Sequence, residues 1–424
     1  MEDQIQKNLK HNYIVNVFDG AFFGFGVGFA SFSTVIPLFL SSMTDSAMLI
    51  GLVMAVHSLG WQLPQMFMAR SVARQKRYKP MVVWLTVQER LPFIGMAIIA
   101  LALPKIGLTA GIILLFLMLA WQGLGAGVTA VPWQIMINKV ISPDFLATFF
   151  GVQGAAANLL ASGAAIVAGI LLDRISYPTN YAAVFSIACV WLVVSWFFIN
   201  ATREPEHDLD LPEVAHPPLL ASAVAILKAD RNFVWLLVSR MLSQFGIMGF
   251  AFYAVHVVRN LGASETQAGV MTSVLMVTQV AMNIGMGWLA DRWNRKAVLE
   301  IGFFAMGLSA LTAWLAPSIG WYYLVMGLTG VANTALWTIM MALSLQFGTD
   351  VTRPMYVGMV NTLIAPFTIL APLFGGWLAG TAGYTVTFMA SAICSVFALL
   401  VLHFMVKDPK KLRLAQLAAA NQPE

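Results

Sequence analysis

Twelve runs of apolar residues, each about as long as a bilayer-crossing helix, constrain this chain more than any motif does. A helix needs about 20 mostly apolar residues to cross roughly 30 Å of hydrocarbon, where every backbone N–H and C=O must be satisfied internally. The runs lie at 13–40, 48–68, 81–103, 108–136, 147–172, 180–199, 233–258, 266–289, 298–316, 320–346, 355–379 and 384–406. Only 10% of the residues are charged and 59% are apolar, against about a quarter charged in soluble domains. No single water-soluble core of 424 residues hides so much apolar side chain. The expected fold class is an all-α polytopic membrane protein with 12 transmembrane helices. The net charge of +5 is scattered in short clusters between the runs, which argues against a nucleic-acid partner. Cys189 and Cys394 lie inside apolar runs and give neither a disulfide framework nor a metal-ligand spacing.

Most connections are short, so consecutive helices run antiparallel. The exception, 200–232, is rich in Pro and acid and carries a short amphipathic stretch at Leu219–Lys228. It divides the chain into a six-helix bundle at 1–199, a linker at 200–232, a second bundle at 233–406 and a tail at 407–424. Basic loops stay cytoplasmic. With the amino terminus inside, the inner segments hold 19 Lys and Arg, and the outer loops hold three: Lys105, Arg174 and Arg259. Both termini are therefore expected in the cytoplasm. The amino end lacks the short apolar core and small-residue cleavage site of a signal peptide, so the first helix is expected to stay as an anchor. The short outer loops suit an inner membrane.

The two halves repeat. "GFAS" at Gly28 matches "GFAF" at Gly249, "PWQIMI" at Pro132 matches "LWTIMM" at Leu336, and Tyr181-x-x-x-Phe185 matches Tyr384-x-x-x-Phe388. Two parallel six-helix repeats form one arrangement used for alternating access. The loop after the eighth run, "GWLADRWNRKAVL" from Gly287, resembles the G-x-x-x-D-R-x-x-R-K signature of the major facilitator superfamily in Gly287, Asp291, Arg292, Arg295 and Lys296. Its counterpart from Ala69 keeps Arg74 and Arg77 but has Ala69 for the Gly and Ala73 for the Asp. The resemblance implies the superfamily's fold, two pseudo-symmetric six-helix bundles, and a cytoplasmic latch formed by this loop on the fifth helix, which begins near Ala147. Asp291 has a physical reason to be there: its carboxylate can accept from the free N–H groups that open a helix, where the dipole favours an anion. The alternative is that Arg292, Arg295 and Lys296 only fix topology. "WQGLGAGV" at Trp121 resembles the fourth-helix motif of proton-driven drug antiporters, but Leu119 stands where that motif carries Arg.

Four ionisable residues lie deep within the runs: Asp19, Glu89, Arg90 and Arg240. Each costs at least about 2.5 kcal/mol at a helix centre without water or a partner. Asp19, Glu89 and Arg240 lie roughly 9–12 Å from the cytoplasmic ends, in one layer. Asp19 and Arg240 also hold equivalent places in the repeat. The functional expectation is that Asp19 takes a proton or cation while Arg240 supplies the competing or substrate-facing positive charge. The alternative is a permanent salt bridge. Glu89 and Arg90 point about 100° apart and are not expected to line one face. His57, with an ordinary pKa near 6.5, suits a proton carrier or a hydrogen-bonded interior histidine.

Gln134, Asn158, Gln244, Asn333 and Asn361 are candidates to line a cavity and hydrogen-bond a solute, or to bond helices together. Trp133 and Trp337 recur at matched sites and suit stacking on a substrate or packing. Gly20, Gly24, Gly26 and Gly28 read as a close-packing surface. No catalytic residue, cofactor or metal is expected: paired carboxylates, ligand clusters, activated nucleophiles and an ATP-binding loop are all missing from the sequence. The reading is a secondary active transporter of a small organic solute, coupled to protons, monomeric and surrounded by lipid. A transporter-fold receptor, a lipid translocator and a drug/proton antiporter remain the alternatives.

Overall fold

The computed structural model describes residues 2–32, 34–44, 47–206, 219–263 and 265–412. The middle of the expected linker, 207–218, and the tail beyond 412 lie outside the described residues. What is described is helical and contains no strand: α1 (Glu2–Phe29), α2 (Val35–Ser41), α3 (Ala47–Gln62), α4 (Gln65–Ala73), α5 (Lys79–Ile106), α6 (Leu108–Val140), α7 (Leu146–Arg174), α8 (Thr179–Asn200), α9 (Leu219–Ala229), α10 (Arg231–Gly246), α11 (Phe250–Leu261), α12 (Glu265–Arg292), α13 (Arg295–Leu315), α14 (Trp321–Thr334), a π-helical turn (Ala335–Ile339), α15 (Met340–Ser344), α16 (Arg353–Thr362), α17 (Ala365–Thr381) and α18 (Tyr384–Met405).

Ten of the twelve expected spans are long and apolar enough, among the described residues, to cross a membrane. The other two are α1, whose apolar content is diluted by Asn12, Asn16, Asp19 and glycines, and α3 with α4, broken at Leu63–Pro64. Proline explains most of the breaks that the apolar pattern does not show. It lacks an N–H and fits best where a helix begins, although Pro92, Pro104, Pro132 and Pro372 lie inside helices. Pro37, Pro354 and Pro366 lie in the first turns of α2, α16 and α17, and Pro64 immediately precedes α4. The break between α10 and α11 falls at Gly246–Gly249, and α18 satisfies the freed groups. Ser391 Oγ donates to the Gly246 carbonyl and accepts from the Gly249 N–H at 3.3 Å, while Ser395 Oγ also donates to Gly246 O at 3.3 Å. Neighbouring hydroxyls are what make a broken helix tolerable at membrane depth.

The chain forms two compact units: Met1–Pro143, Val152–Val214 and Asp350–Thr362 in unit 1, and Asp144–Gly151, Ala215–Thr349 and Leu363–Glu424 in unit 2. In unit 1, α8 packs on both α1 and α5, and α6 packs on α5 and α3. In unit 2, α18 packs on both α10 and α13, and α14 packs on α13 and α12. The internal sequence repeat thus reappears as a repeated packing scheme. Unit 1 centres on Phe39, Phe93, Met96 and Phe185, and unit 2 on Tyr253, Met271, Tyr322 and Phe388.

Candidate functional site

The junction of α1, α5 and α8 holds a buried ion cluster built on Arg90. Its Nη1 lies 2.8 Å from Glu89 Oε1, and its Nη2 lies 3.7 Å from Asp19 Oδ1 and 2.9 Å from Ser195 Oγ. The Ser195 hydroxyl donates onward to Asp19 Oδ1 at 2.6 Å. Thr86 Oγ1 donates to Glu89 Oε1 and accepts from Arg90, and the remaining guanidinium protons go to the carbonyls of Leu192 and Thr86, each at 3.0 Å. The three charged side chains are 7–10% exposed. Glu89 and Arg90, expected to diverge by their helical spacing, pair directly because the long Arg side chain folds back over the preceding turn to Thr86. Two carboxyls share one guanidinium, so the cluster is neutral only with one proton on it. Ionised groups at this depth are tolerated when paired and hydrogen-bonded.

Arg240 sits on α10, and α10 packs on α18 as α1 packs on α8. It is 6% exposed, and its Nε and Nη1 are buried without a hydrogen-bond partner. Among the described residues no carboxylate lies within 4.0 Å of it, and Asp19 is held by Arg90 instead. An arginine does not shed its proton to escape such a position. Ser243 Oγ bonds the Arg240 carbonyl at 2.7 Å, and the neighbouring Ser239 bonds Ala398 O at 2.9 Å, so the α10 backbone around it is well fixed.

The other expected site residues are dispersed. His57 Nδ1 is 2.8 Å from Gln122 Oε1, and its ring stacks on Phe32 at 3.9 Å. Gln134 is buried, Asn158 and Asn333 are half-buried, and Gln244 accepts from Thr368 at 3.5 Å. Trp133 lies half-buried in regular helix, whereas Trp337 lies in the π-helical turn and is 54% exposed. Single π turns inside α-helices frequently mark functional positions, and apolar patterning gives no sign of them.

Two clamps join helix starts to the ends of the second and eighth runs. In unit 2, Asp291 Oδ1 and Oδ2 accept from the N–H groups of Ala147 and Thr148 at 3.0 and 2.6 Å. Arg295 Nη2 holds the same carboxylate at 2.9 Å and reaches Ala342 O at 3.2 Å. Gly287 lets the segments touch: a Cβ there would stand 2.6 Å from Ala147 O. Arg292 lies over Trp288 at 4.5 Å, and Lys296 bonds His403 O and pairs with Glu300. In unit 1 the equivalent contact joins α4 to α16. A Cβ on Gly358 would meet Gln65 O at 2.9 Å, Asn361 donates to Gln65 Oε1 at 2.7 Å, and the Met66 N–H donates to Thr362 Oγ1 at 3.1 Å. Ala73 replaces the capping Asp here. The residues matching Ala147 and Thr148 are Pro354, which has no N–H, and Met355, whose N–H already bonds Thr352 O.

Glu204 is a site residue that the sequence reading misses. It is 1% exposed, accepts from the N–H groups of Tyr78 and Lys79 at 2.9 and 2.7 Å, and pairs with Lys139 at 2.9 Å. Burial, then Glu204 and Asp350, push the Tyr78 hydroxyl up to about 12 against the pull of Arg353. Arg77 pairs with Glu206 at 3.1 Å, and Arg74 is exposed.

The family model described as Major Facilitator Superfamily matches residues 86–256 and 236–423. Among solved structures, the chain is similar to a bacterial homologue of the iron transporter ferroportin in its outward-facing state (TM-score 0.73, 14% identity, 92% of this chain and 98% of that one). It is equally similar to a proton:xylose symporter (TM-score 0.73, 15% identity, 96% and 99%). Mouse monocarboxylate transporter 12 is 27% identical over 190 residues, 44% of this chain and 39% of that protein. Multidrug resistance protein 1 of Bacillus subtilis is 23% identical over 155 residues, 37% and 40%. The chain thus spans about two fifths of the length of these curated relatives. With a family match over most of its length and helices packed in a repeated scheme, the chain belongs to the major facilitator superfamily.

Proposed function

We propose that this protein is a secondary active transporter that carries a small organic anion together with one proton, by alternating access. The observation that carries this reading is a pair of opposite charge imbalances. Unit 1 buries two carboxyls on one guanidinium, and unit 2 buries the Arg240 guanidinium with no carboxylate within 4.0 Å among the described residues. The first is completed by a proton and the second by an anion. A relative named as a monocarboxylate transporter and a fold neighbour named as a proton symporter support both halves of the reading. Asp19 and Glu89 are the proton acceptors, Arg90 tunes them, and Arg240 faces the anion. His57, hydrogen-bonded and stacked, orients its helix. The clamps at Asp291 and at Gln65–Asn361 close the cytoplasmic side and release as the 1–199 and 233–406 halves move. The protein works as a monomer in an inner membrane with both termini in the cytoplasm.

Uptake of a monocarboxylate panel by proteoliposomes under an imposed pH gradient tests this. Wild-type protein accumulates at least one member, and Arg240→Gln abolishes that accumulation. A drug/proton antiporter reading has the Bacillus relative in its favour. Proton-driven export of lipophilic cations with no response to carboxylates would decide for it.

A further inference from the structure

Where α5 and α8 meet the basic loops, unit 1 has an open cleft of about 480 Å³ whose lining includes Arg77, Lys79, Arg203, Val83 and Trp84. Its acid is already spent, because Glu204 is occupied by two backbone N–H groups and by Lys139. Its cations are held only weakly or not at all. Arg77 and its partner Glu206 are 52% and 62% exposed. Among the described residues the Arg203 guanidinium reaches only Asn8 Oδ1, at 3.5 Å, and the Lys79 ammonium has no partner. Trp84, one turn into α5, is 76% exposed. Beyond it, Leu91, Ile94, Ile98 and Leu101 are each 37–59% exposed and continue one apolar stripe. From Trp84 to Leu101 the stripe rises about 25 Å, close to the thickness of the hydrocarbon layer.

Cations gathered at the foot of a membrane-long apolar stripe, beside an interfacial Trp, match one ligand in both its parts. We propose that this cleft binds the phosphate headgroup of an anionic phospholipid, with an acyl chain lying along the α5 stripe. The topological role of loop lysines and arginines requires neither a cleft nor an exposed tryptophan at its rim, so the site goes beyond orientation.

Native mass spectrometry of the purified full chain, titrated with phosphatidylglycerol or phosphatidylcholine, tests the proposal. Wild-type protein is expected to retain phosphatidylglycerol at least about fivefold better, and Lys79→Gln with Arg203→Gln to lower that retention on the order of twentyfold, since each interfacial cation contributes roughly a fivefold effect. If the double variant does not fold, Lys79→Gln alone is expected to lose about fivefold. Equal retention of the two lipids by wild-type protein overturns the proposal, as does unchanged retention by the folded variants. Displacement of the lipid by millimolar inorganic phosphate also overturns it, by showing a site for free anions.

Discussion

At the scale of single residues, Arg90 is the most consequential side chain of the buried cluster. It satisfies Asp19, Glu89 and Ser195 at once from one helix. Replacing it with Met leaves two carboxyls buried without a cation, a change expected to cost about 3–5 kcal/mol of stability. Converting all three charges together (Asp19→Asn, Glu89→Gln, Arg90→Met) should recover most of that loss, as chemical unfolding in detergent would show; equal destabilisation by both would mean the cluster is not coupled. The positions of these charges are legible in the sequence, because an ion in an apolar run is conspicuous. Their partners are not, because Ser195 and the Leu192 carbonyl belong to a helix more than 100 residues away. Helix rotation, which the apolar pattern fixes only loosely, decides which side chains meet.

At the scale of helices, the clamps depend on close backbone approach. Gly287→Val and Gly358→Val should each prevent contact, since a Cβ would already press on Ala147 O at 2.6 Å or on Met66 Cα at 2.8 Å. Thiol probes placed at the start of α7 or α16 should label several-fold faster in these variants; wild-type labelling would refute the clamps. Asp291→Ala removes the acceptor of two helix-opening N–H groups, a loss of about 1 kcal/mol from that contact, and should raise labelling at α7 while leaving α16 unchanged. The unit 2 clamp is readable from sequence because its loop signature names the carboxylate and the superfamily resemblance implies the helix that receives it. The unit 1 clamp is hidden. Its helix start carries Pro354, so a carboxylate has less to cap, and side-chain hydrogen bonds from Gln65, Asn361 and Thr362 replace it. Neutral polar residues in apolar runs are too common to announce such a role.

At the scale of the whole molecule, the apolar runs make the fold class legible, since bilayer thickness and backbone satisfaction leave few alternatives, and three matched strings make the repeat legible. Element ends were less readable: breaks at Pro37, Pro64 and Gly246–Gly249 fall inside continuous apolar sequence, where only neighbouring hydroxyls decide whether a broken helix is tolerated. The repeat also shows how two related halves diverge in charge. The position that carries Asp19 in one half carries Arg240 in the other, and among the described residues only the first has a counter-ion on a neighbouring helix. In the proposed symport, a proton on one half and an organic anion on the other would make the transported pair electroneutral. The most direct test is initial monocarboxylate uptake into proteoliposomes with the pH gradient and the membrane potential imposed separately. Electroneutral symport predicts accumulation driven by the pH gradient, indifference to a potential of either sign, and an Asp19→Asn protein that exchanges anion but no longer accumulates it. Uptake driven by potential alone, or wild-type accumulation by Asp19→Asn, would contradict it.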